Sequence, residues 1–307
     1  MAALIQTSWS ENNKQPLFYS ADFLKSSFDY PGATFSLAPT LYSGSHPLAF
    51  ASGFPRRARF KGRDLSVIVS TFLTVSPELK RKGYGIVLWS ELVRRAQRAG
   101  FDGMVNFCVD GEPMNGMVVG CAQRLRLPIE RIFSAHYLSF LLRPMASQEQ
   151  HQDTGTGNNE EFLRLTATIA SNTPLARLWS ASEAEWQIAT RLGAITCRYA
   201  AEQSLGMLTS YIMQIDRPDR AKCLLIEDVL WGTLDTNQRQ KLLWQLLDKA
   251  AAAGVRMATV PVLHYADMEP FTAAGFRRSR RVVHAYLTIW NGGAPTEALP
   301  SIYFDVF

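Results

Sequence analysis

The fourteen residues Leu73-Thr74-Val75-Ser76-Pro77-Glu78-Leu79-Lys80-Arg81-Lys82-Gly83-Tyr84-Gly85-Ile86 hold the parts of an anion cradle. An apolar strand-like run ends, and Pro77 withholds the N–H that would continue a ladder. Three cations and two glycines then open a stretch of helical periodicity. Glycine lets the backbone approach a ligand closely. The free N–H groups and positive dipole end of a helix N-terminus attract phosphate. Lys80, Arg81 and Lys82 add full charge beside them. A plain turn with solvated charges would use the same residues. The segment fits neither G-x-x-x-x-G-K-[ST] nor G-x-G-x-x-G followed by a downstream acid.

Other residues able to do chemistry cluster just downstream. Asp110 and Glu112 are carboxylates that could take a proton. Asn115 stands where a helix opens, and an ordinary N-cap would use the same residue. Cys121 could donate a proton, though a cysteine in an apolar helix is usually packing. Cys108, in an apolar strand, reads as core. The five histidines have no metal-ligand spacing, so no metal is expected.

The elements that must position these groups follow from periodicity and breakers. A short helix is expected over Phe18–Phe28, and strands over Thr34–Tyr42, Leu48–Phe60 and Leu65–Val75. Leu88, Trp89, Leu92, Val93 and Ala96 form one stripe of a helix over Ile86–Ala99, which Gly100 closes. A strand over Met104–Val109, a helix over Asn115–Gln123 and a strand over Ile132–Leu142 complete the run. Antiparallel strands, a central helix, then strand–helix–strand make an α+β, or mixed α/β, plan.

The chain has 307 residues, more than one ordinary core uses. The polar stretch from Pro144 to Asn159 cannot bury enough surface to offset its ordering entropy. We therefore expect a first domain over 1–143, a flexible linker over 144–160 and a second domain over 161–307. Adding 154 to a number lays the first half on the second without a gap: Leu88, Trp89, Leu92, Val93, Ala96 and Gly100 meet Leu242, Leu243, Leu246, Leu247, Ala250 and Gly254. This match indicates duplication. The cradle is not duplicated, because Lys80–Gly85 faces Leu234-Asp235-Thr236-Asn237-Gln238-Arg239, which has no glycine. Net charge is +5, and it divides into +7 over residues 1–143 and −2 over the rest. An anionic ligand therefore suits the first half.

Lys80-Arg81-Lys82-Gly83-Tyr84-Gly85 after Leu73-Thr74-Val75 resembles the acyl-CoA signature [R/Q]-x-x-G-x-[G/A] of the GNAT N-acetyltransferase superfamily. The order of elements over about 18–142 and 163–290, and the Ala274-Gly275-Phe276 ending of a late helix, are similar to that family too. The resemblance implies two tandem GNAT-like acyl-CoA acyltransferase domains, the second degenerate. It implies transfer of an acyl group, usually acetyl from acetyl-CoA, to a small-molecule or peptide amine. The cofactor-binding set it implies is Thr74, Val75, Lys80, Arg81, Lys82, Gly83, Tyr84, Gly85 and Asn115. Thr74 and Val75 would offer backbone to the thioester carbonyl. The family's tyrosine acid falls at Ala122 and, in the second copy, Phe271, so neither half supplies it. A non-catalytic acyl-CoA-binding or scaffold protein is the alternative reading.

Several classes are excluded or disfavoured. With 47% hydrophobic and 19% charged residues the chain is not disordered. It has no 18-residue apolar run, so no membrane span is expected. No basic segment followed by a long apolar run opens the sequence, so no secretory signal is expected. Four scattered cysteines argue for a reduced, cytoplasmic setting. The basic clusters Arg56, Arg57, Arg59, Lys61, Arg63 and Arg277, Arg278, Arg280, Arg281 lack a reading helix with interleaved aromatics. They are expected to be solvated hairpin charges rather than a nucleic-acid surface. A homodimer is left open.

Overall fold

The computed structural model describes residues 1–10, 17–142, 158–201, 203–215, 221–291 and 297–306. The first half runs α1 (Ala2–Ser10), β1 (Leu17–Phe18), α2 (Ala21–Phe28), β2 (Thr40–Ser43), β3 (His46–Phe60), β4 (Arg63–Val75), α3 (Tyr84–Arg98), β5 (Gly103–Val109), α4 (Pro113–Arg124) and β6 (Glu130–Leu141). The second repeats that order: α5 (Asn159–Asn172), β7 (Leu175–Leu178), α6 (Ala181–Glu185), β8 (Ala194–Ala201), β9 (Ser204–Ile215), β10 (Lys222–Leu230), α7 (Thr236–Ala252), β11 (Val255–Pro261), α8 (Glu269–Ala273), β12 (Arg277–Ile289) and β13 (Ile302–Tyr303).

The two matched helices form for the reason their stripes suggest. Leu88, Trp89, Leu92, Val93 and Ala96 on α3 are buried, and so are Leu242, Leu243, Leu246, Leu247 and Ala250 on α7. Each fully buried Leu contributes about 2 kcal/mol over its exposed state. Gly100 (φ +82°) and Gly254 (φ +79°) end them in the left-handed conformation that glycine tolerates. Helices α3 and α4 share a core with Ile68, Met104, Cys108 and Tyr286. Helix α7 packs on Leu208, Leu224, Ile226 and Leu138. The opposite face carries the C-terminal run Leu299, Ile302, Phe304 and Val306 against Val67, Val69, Val105, Phe133 and Ala285.

All described strands join one sheet, ordered β1-β9-β10-β11-β6-β12-β5-β4-β3-β7-β13, with β2 beside β3 and β8 beside β9. Apart from β13, that order is a palindrome when each strand is replaced by its repeat. The halves exchange strands at both ends. The short β1 pairs with β9, and β7 with β3. Strand β6 pairs antiparallel with β11, and β12 with β5, while β6 and β12 lie side by side between them. Neither half closes its own sheet. At the β5·β12 contact the backbones approach so closely that a Cβ on Gly103 would lie 2.2 Å from the Thr288 carbonyl oxygen.

Three local expectations change. The predicted strand over Thr34–Tyr42 begins instead as a 3-10 turn, Phe35–Leu37, because Thr34 caps it by accepting from Ser36 N–H. Of the linker predicted over 144–160, residues 144–157 lie outside the described residues. Asn159 and Glu160 open α5, capped by Asn158, whose side chain accepts from Glu161 N–H. Arg56 is not solvated: it is 2% exposed and donates from Nε and Nη2 to Asp305 at 2.9 and 2.6 Å. Among the described residues no helix is long and apolar enough to cross a membrane.

Candidate functional site: an uncapped helix over a parted strand pair

Strands β4 and β5 run parallel and stay in register from Val67↔Gly103 to Ser70↔Asn106. Beyond that rung the two strands part, β4 running on beside β3 to Val75 and β5 beside β12 to Val109. The cause is local. Phe72 adopts φ +54°, and the β3 register slips between Phe50↔Thr74 and Ser52↔Thr71. A bulge of this kind turns the strand and unpairs backbone groups. Among the described residues, the edge of β4 that faced β5 has no ladder partner over its last residues.

The α3 N-terminus stands at the wide end of this opening. Gly83 (φ +87°) is the N-cap and brings no side-chain cap bond. Ile86 and Val87 N–H both donate to the Gly83 carbonyl. Among the described residues no backbone carbonyl accepts from the N–H groups of Arg81, Gly83, Tyr84 or Gly85. Arg81 is itself left-handed, φ +63°. A Cβ on Gly83 would meet nothing within 4 Å, so conformation and open approach, not packing, favour glycine there. Gly85 differs, since a Cβ there would sit 3.1 Å from Met117 Sδ, and it also lets α3 approach α4. Arg81 and Lys82 are exposed, whereas Lys80 Nζ donates to the Ser8 carbonyl of α1 at 3.1 Å.

The other sequence-predicted residues fall around the same opening in different states. Thr74 is buried, with Oγ1 donating to the Phe72 carbonyl at 2.9 Å. Thr74 and Val75 stay in register with Phe50 and Ala49 of β3. The irregular backbone thus lies at Phe72, upstream of both, and sequence reasoning missed it. Asn115 is the third residue of α4, not its cap. Its Nδ2 donates to the Val109 carbonyl at 2.6 Å, and its Oδ1 is buried without a partner. Glu112 is the N-cap, with no side-chain cap bond. Burial pushes its carboxyl above the ordinary range, with Arg281 opposing. Asp110 is largely exposed and faces His284 Nε2 at 3.2 Å. Cys121 and Cys108 belong to the core under α3; burial raises both thiols, that of Cys108 to about 12. Ala122 and Phe271 are fully buried.

The second half contains the same opening in closed form. Strands β10 and β11 pair from Lys222↔Val255 to Leu225↔Thr259, then part. The register on β9 slips between Ile226 and Asp228, matching the bulge of β4. Here the space is filled. Tyr265 accepts from Val229 N–H at 3.0 Å and donates to the Glu227 carbonyl at 3.4 Å, so a side chain satisfies the backbone where the strands part. The 154-residue offset places Gly111 opposite Tyr265, and a Cβ on Gly111 would meet nothing within 4 Å. The helix end is closed too. Asp235 caps α7 by accepting from Gln238 N–H at 2.9 Å, and Gln238 returns a bond to Asp235 N–H. The anion position at α7 is occupied by the chain's own carboxylate.

Behind Tyr265 lies a buried polar network that joins the halves. Tyr303 Oη donates to Asp228 at 2.8 Å, and Gln187 Nε2 bonds Glu227 and Asp228 at 2.7 and 2.8 Å. Arg191 pairs with Glu227. Asp305 receives Arg56 and Arg177, the latter at 3.1 Å. Burial disfavours the Asp305 charge, but Arg177 and Arg56 outweigh it and hold the carboxyl at about 2. No periodicity announces this cluster, because its members come from five separated segments.

No protein-family model matches the sequence, and no curated protein matches it. Solved structures do. The Saccharomyces cerevisiae N-myristoyltransferase with bound myristoyl-CoA superposes with a TM-score of 0.73 at 11% identity, over 95% of this chain and 76% of that one. A second structure of the myristoyl-CoA complex gives 0.73 at 12%, over 95% and 79%. A GCN5-related N-acetyltransferase from Anabaena variabilis gives 0.56 at 12%, over 94% and 69%. With its repeated halves on one continuous sheet, the chain shares the fold of these N-myristoyltransferase and GCN5-related N-acetyltransferase structures.

Proposed function

We propose that the protein is an N-acyltransferase that takes its acyl group from an acyl-CoA bound by the first half. The observation that carries this reading is the contrast between the two helix ends. The α3 end is open, glycine-lined and flanked by exposed cations, while its α7 counterpart is sealed by Asp235 and Tyr265. In this reading the N–H groups of Gly83, Tyr84 and Gly85, with Arg81 and Lys82, hold the diphosphate. The pantetheine arm lies between the parted ends of β4 and β5, beside Asn115. Lys80, turned toward α1, fixes the loop rather than the ligand.

The chemistry needs an amine that has lost its proton, because an alkylammonium has a pKa of ~10.4. Glu112 is the better base of the two carboxylates, since its carboxyl is raised by burial and Asp110 is engaged with His284. The amine nitrogen attacks the thioester carbonyl, the C–N bond forms and the C–S bond breaks. The coenzyme leaves as thiolate and takes the second proton released by the nitrogen. In this reading backbone N–H groups at the end of β4, beyond the Phe72 bulge, stabilise the carbonyl oxygen as it gains charge. The second half shapes the acceptor side, and its filled opening leaves one acyl-CoA site per chain.

Isothermal titration with CoA tests the reading. Wild type is expected to bind one equivalent, and Gly83→Asp to abolish binding by placing a carboxylate at the anion position. Asn237→Asp, the matching change in the second half, is expected to leave affinity within about twofold. Equal losses from both substitutions, or no binding by wild type, would refute the assignment.

A further inference from the structure

The narrow end of the β4–β5 opening is polar where a chain-binding pocket would be apolar. Ser70 and Asn106 form the last paired rung, 6% and 1% exposed. Trp89 Nε1 donates to Asn106 Oδ1 at 3.1 Å, which orients the amide and leaves Nδ2 as a donor. That Nδ2 and the Ser70 hydroxyl are both buried without a partner. An unpartnered buried donor costs about 1–3 kcal/mol, so two on adjacent strands are an unmet demand for an oxygen. The last rung of the sealed half, Leu225 against Thr259, carries no such demand, because Thr259 Oγ1 donates to the Leu138 carbonyl at 3.2 Å. The polar pair therefore goes with the half that keeps the open site.

The space around this rung is closed. Ile68, Trp89, Leu92 and Met104 are fully buried around it. Gly53 lacks even room for a Cβ, which would lie 2.8 Å from Ile68 Cδ1 and 3.1 Å from Leu92 Cδ1. The five steps from Ser70 to Val75 span roughly 16 Å, of the order of an extended pantetheine arm. A diphosphate at Gly83 would bring the far end of its acyl thioester toward this rung.

We infer that the transferred group is a short acyl chain bearing a hydroxyl, with Asn106 Nδ2 and Ser70 Oγ as its specificity determinants. The inference rests on the acyl-CoA reading above. A hydroxyl oxygen accepts from Asn106 Nδ2 and exchanges a bond with Ser70. With no cation in contact with either residue among the described residues, a carboxylate would be stranded there. A long apolar chain would strand both polar groups and displace Ile68 and Leu92.

The full-length protein, titrated separately with CoA, butyryl-CoA, 3-hydroxybutyryl-CoA and myristoyl-CoA, supplies the test. 3-Hydroxybutyryl-CoA is expected to bind about tenfold more tightly than butyryl-CoA, and myristoyl-CoA no better than CoA. Asn106→Leu is expected to reverse the preference between the two four-carbon chains. Ser70→Ala, which removes one atom, is expected to reduce it severalfold and serves if Asn106→Leu does not fold. Equal affinity for the four-carbon pair, as an ordered water alone filling the rung would give, overturns the inference, as does tight binding of myristoyl-CoA. Failure to bind CoA itself overturns the underlying reading instead, so the two failures are distinct.

Discussion

Glu183 is buried at the end of the polar network, receiving Ser180 N–H at 2.8 Å, the Tyr30 hydroxyl, and Arg177 at 3.7 Å. Burial raises its carboxyl to about 7, against the opposing bond from Ser180 and with help from Asp305. A carboxyl whose folded value lies above its ordinary 4.5 gives stability that is complete below 4.5 and lost as pH rises through about 7. Thermal midpoints are therefore expected to fall between pH 5 and pH 8, reflecting a loss of about 2 kcal/mol. Glu183→Gln should flatten that slope, and a variant that keeps the wild-type slope would clear Glu183 of the effect. Asp305 acts in the other direction. Its value is held at about 2, so its contribution is present above the ordinary carboxylate range and lost only as pH falls through 2.

At the level of elements, the β5·β12 seam is a close backbone contact of the exchange. Gly103→Ala would push a methyl into the Thr288 carbonyl and is expected to cost about 3 kcal/mol. That corresponds to a drop in Tm of roughly 5–10 °C. Gly116→Ala and Gly120→Ala in α4 are the controls, because a Cβ there meets nothing within 4 Å. These should hold or raise Tm, since alanine favours a helix interior. A Gly103→Ala protein as stable as wild type would show that the seam has slack. The helices α3 and α7 were legible in the sequence because a 3.6-residue stripe is a local signal. So was Gly83, whose conformational freedom is written in the residue type. Phe72 was not, since nothing in a phenylalanine marks a left-handed backbone. Arg56 was not either: beside Arg57 and Arg59 it reads as a solvated charge, and Asp305, 249 residues away, makes it a core residue.

For the whole molecule, duplication was legible through the 154-residue offset, but the exchange of strands was not. Alternation along β6 and β12 specifies which face of a strand is buried, and it carries no mark of which neighbour lies at the edge. Expression of residues 1–142 and 158–307 as separate chains tests the consequence. Each alone lacks the strand that flanks its parallel pair, so each is expected to be aggregated or poorly folded, while the mixture yields a 1:1 complex that binds CoA. Two independently folded monomers would contradict the exchanged sheet. The polypeptide joining the halves then acts as a concentration device. In the intact chain β6 and β12 meet at the millimolar effective concentrations that short tethers impose, whereas severed halves must find each other at the concentration of the solution. Dilution should therefore switch off the split protein and leave the intact one untouched.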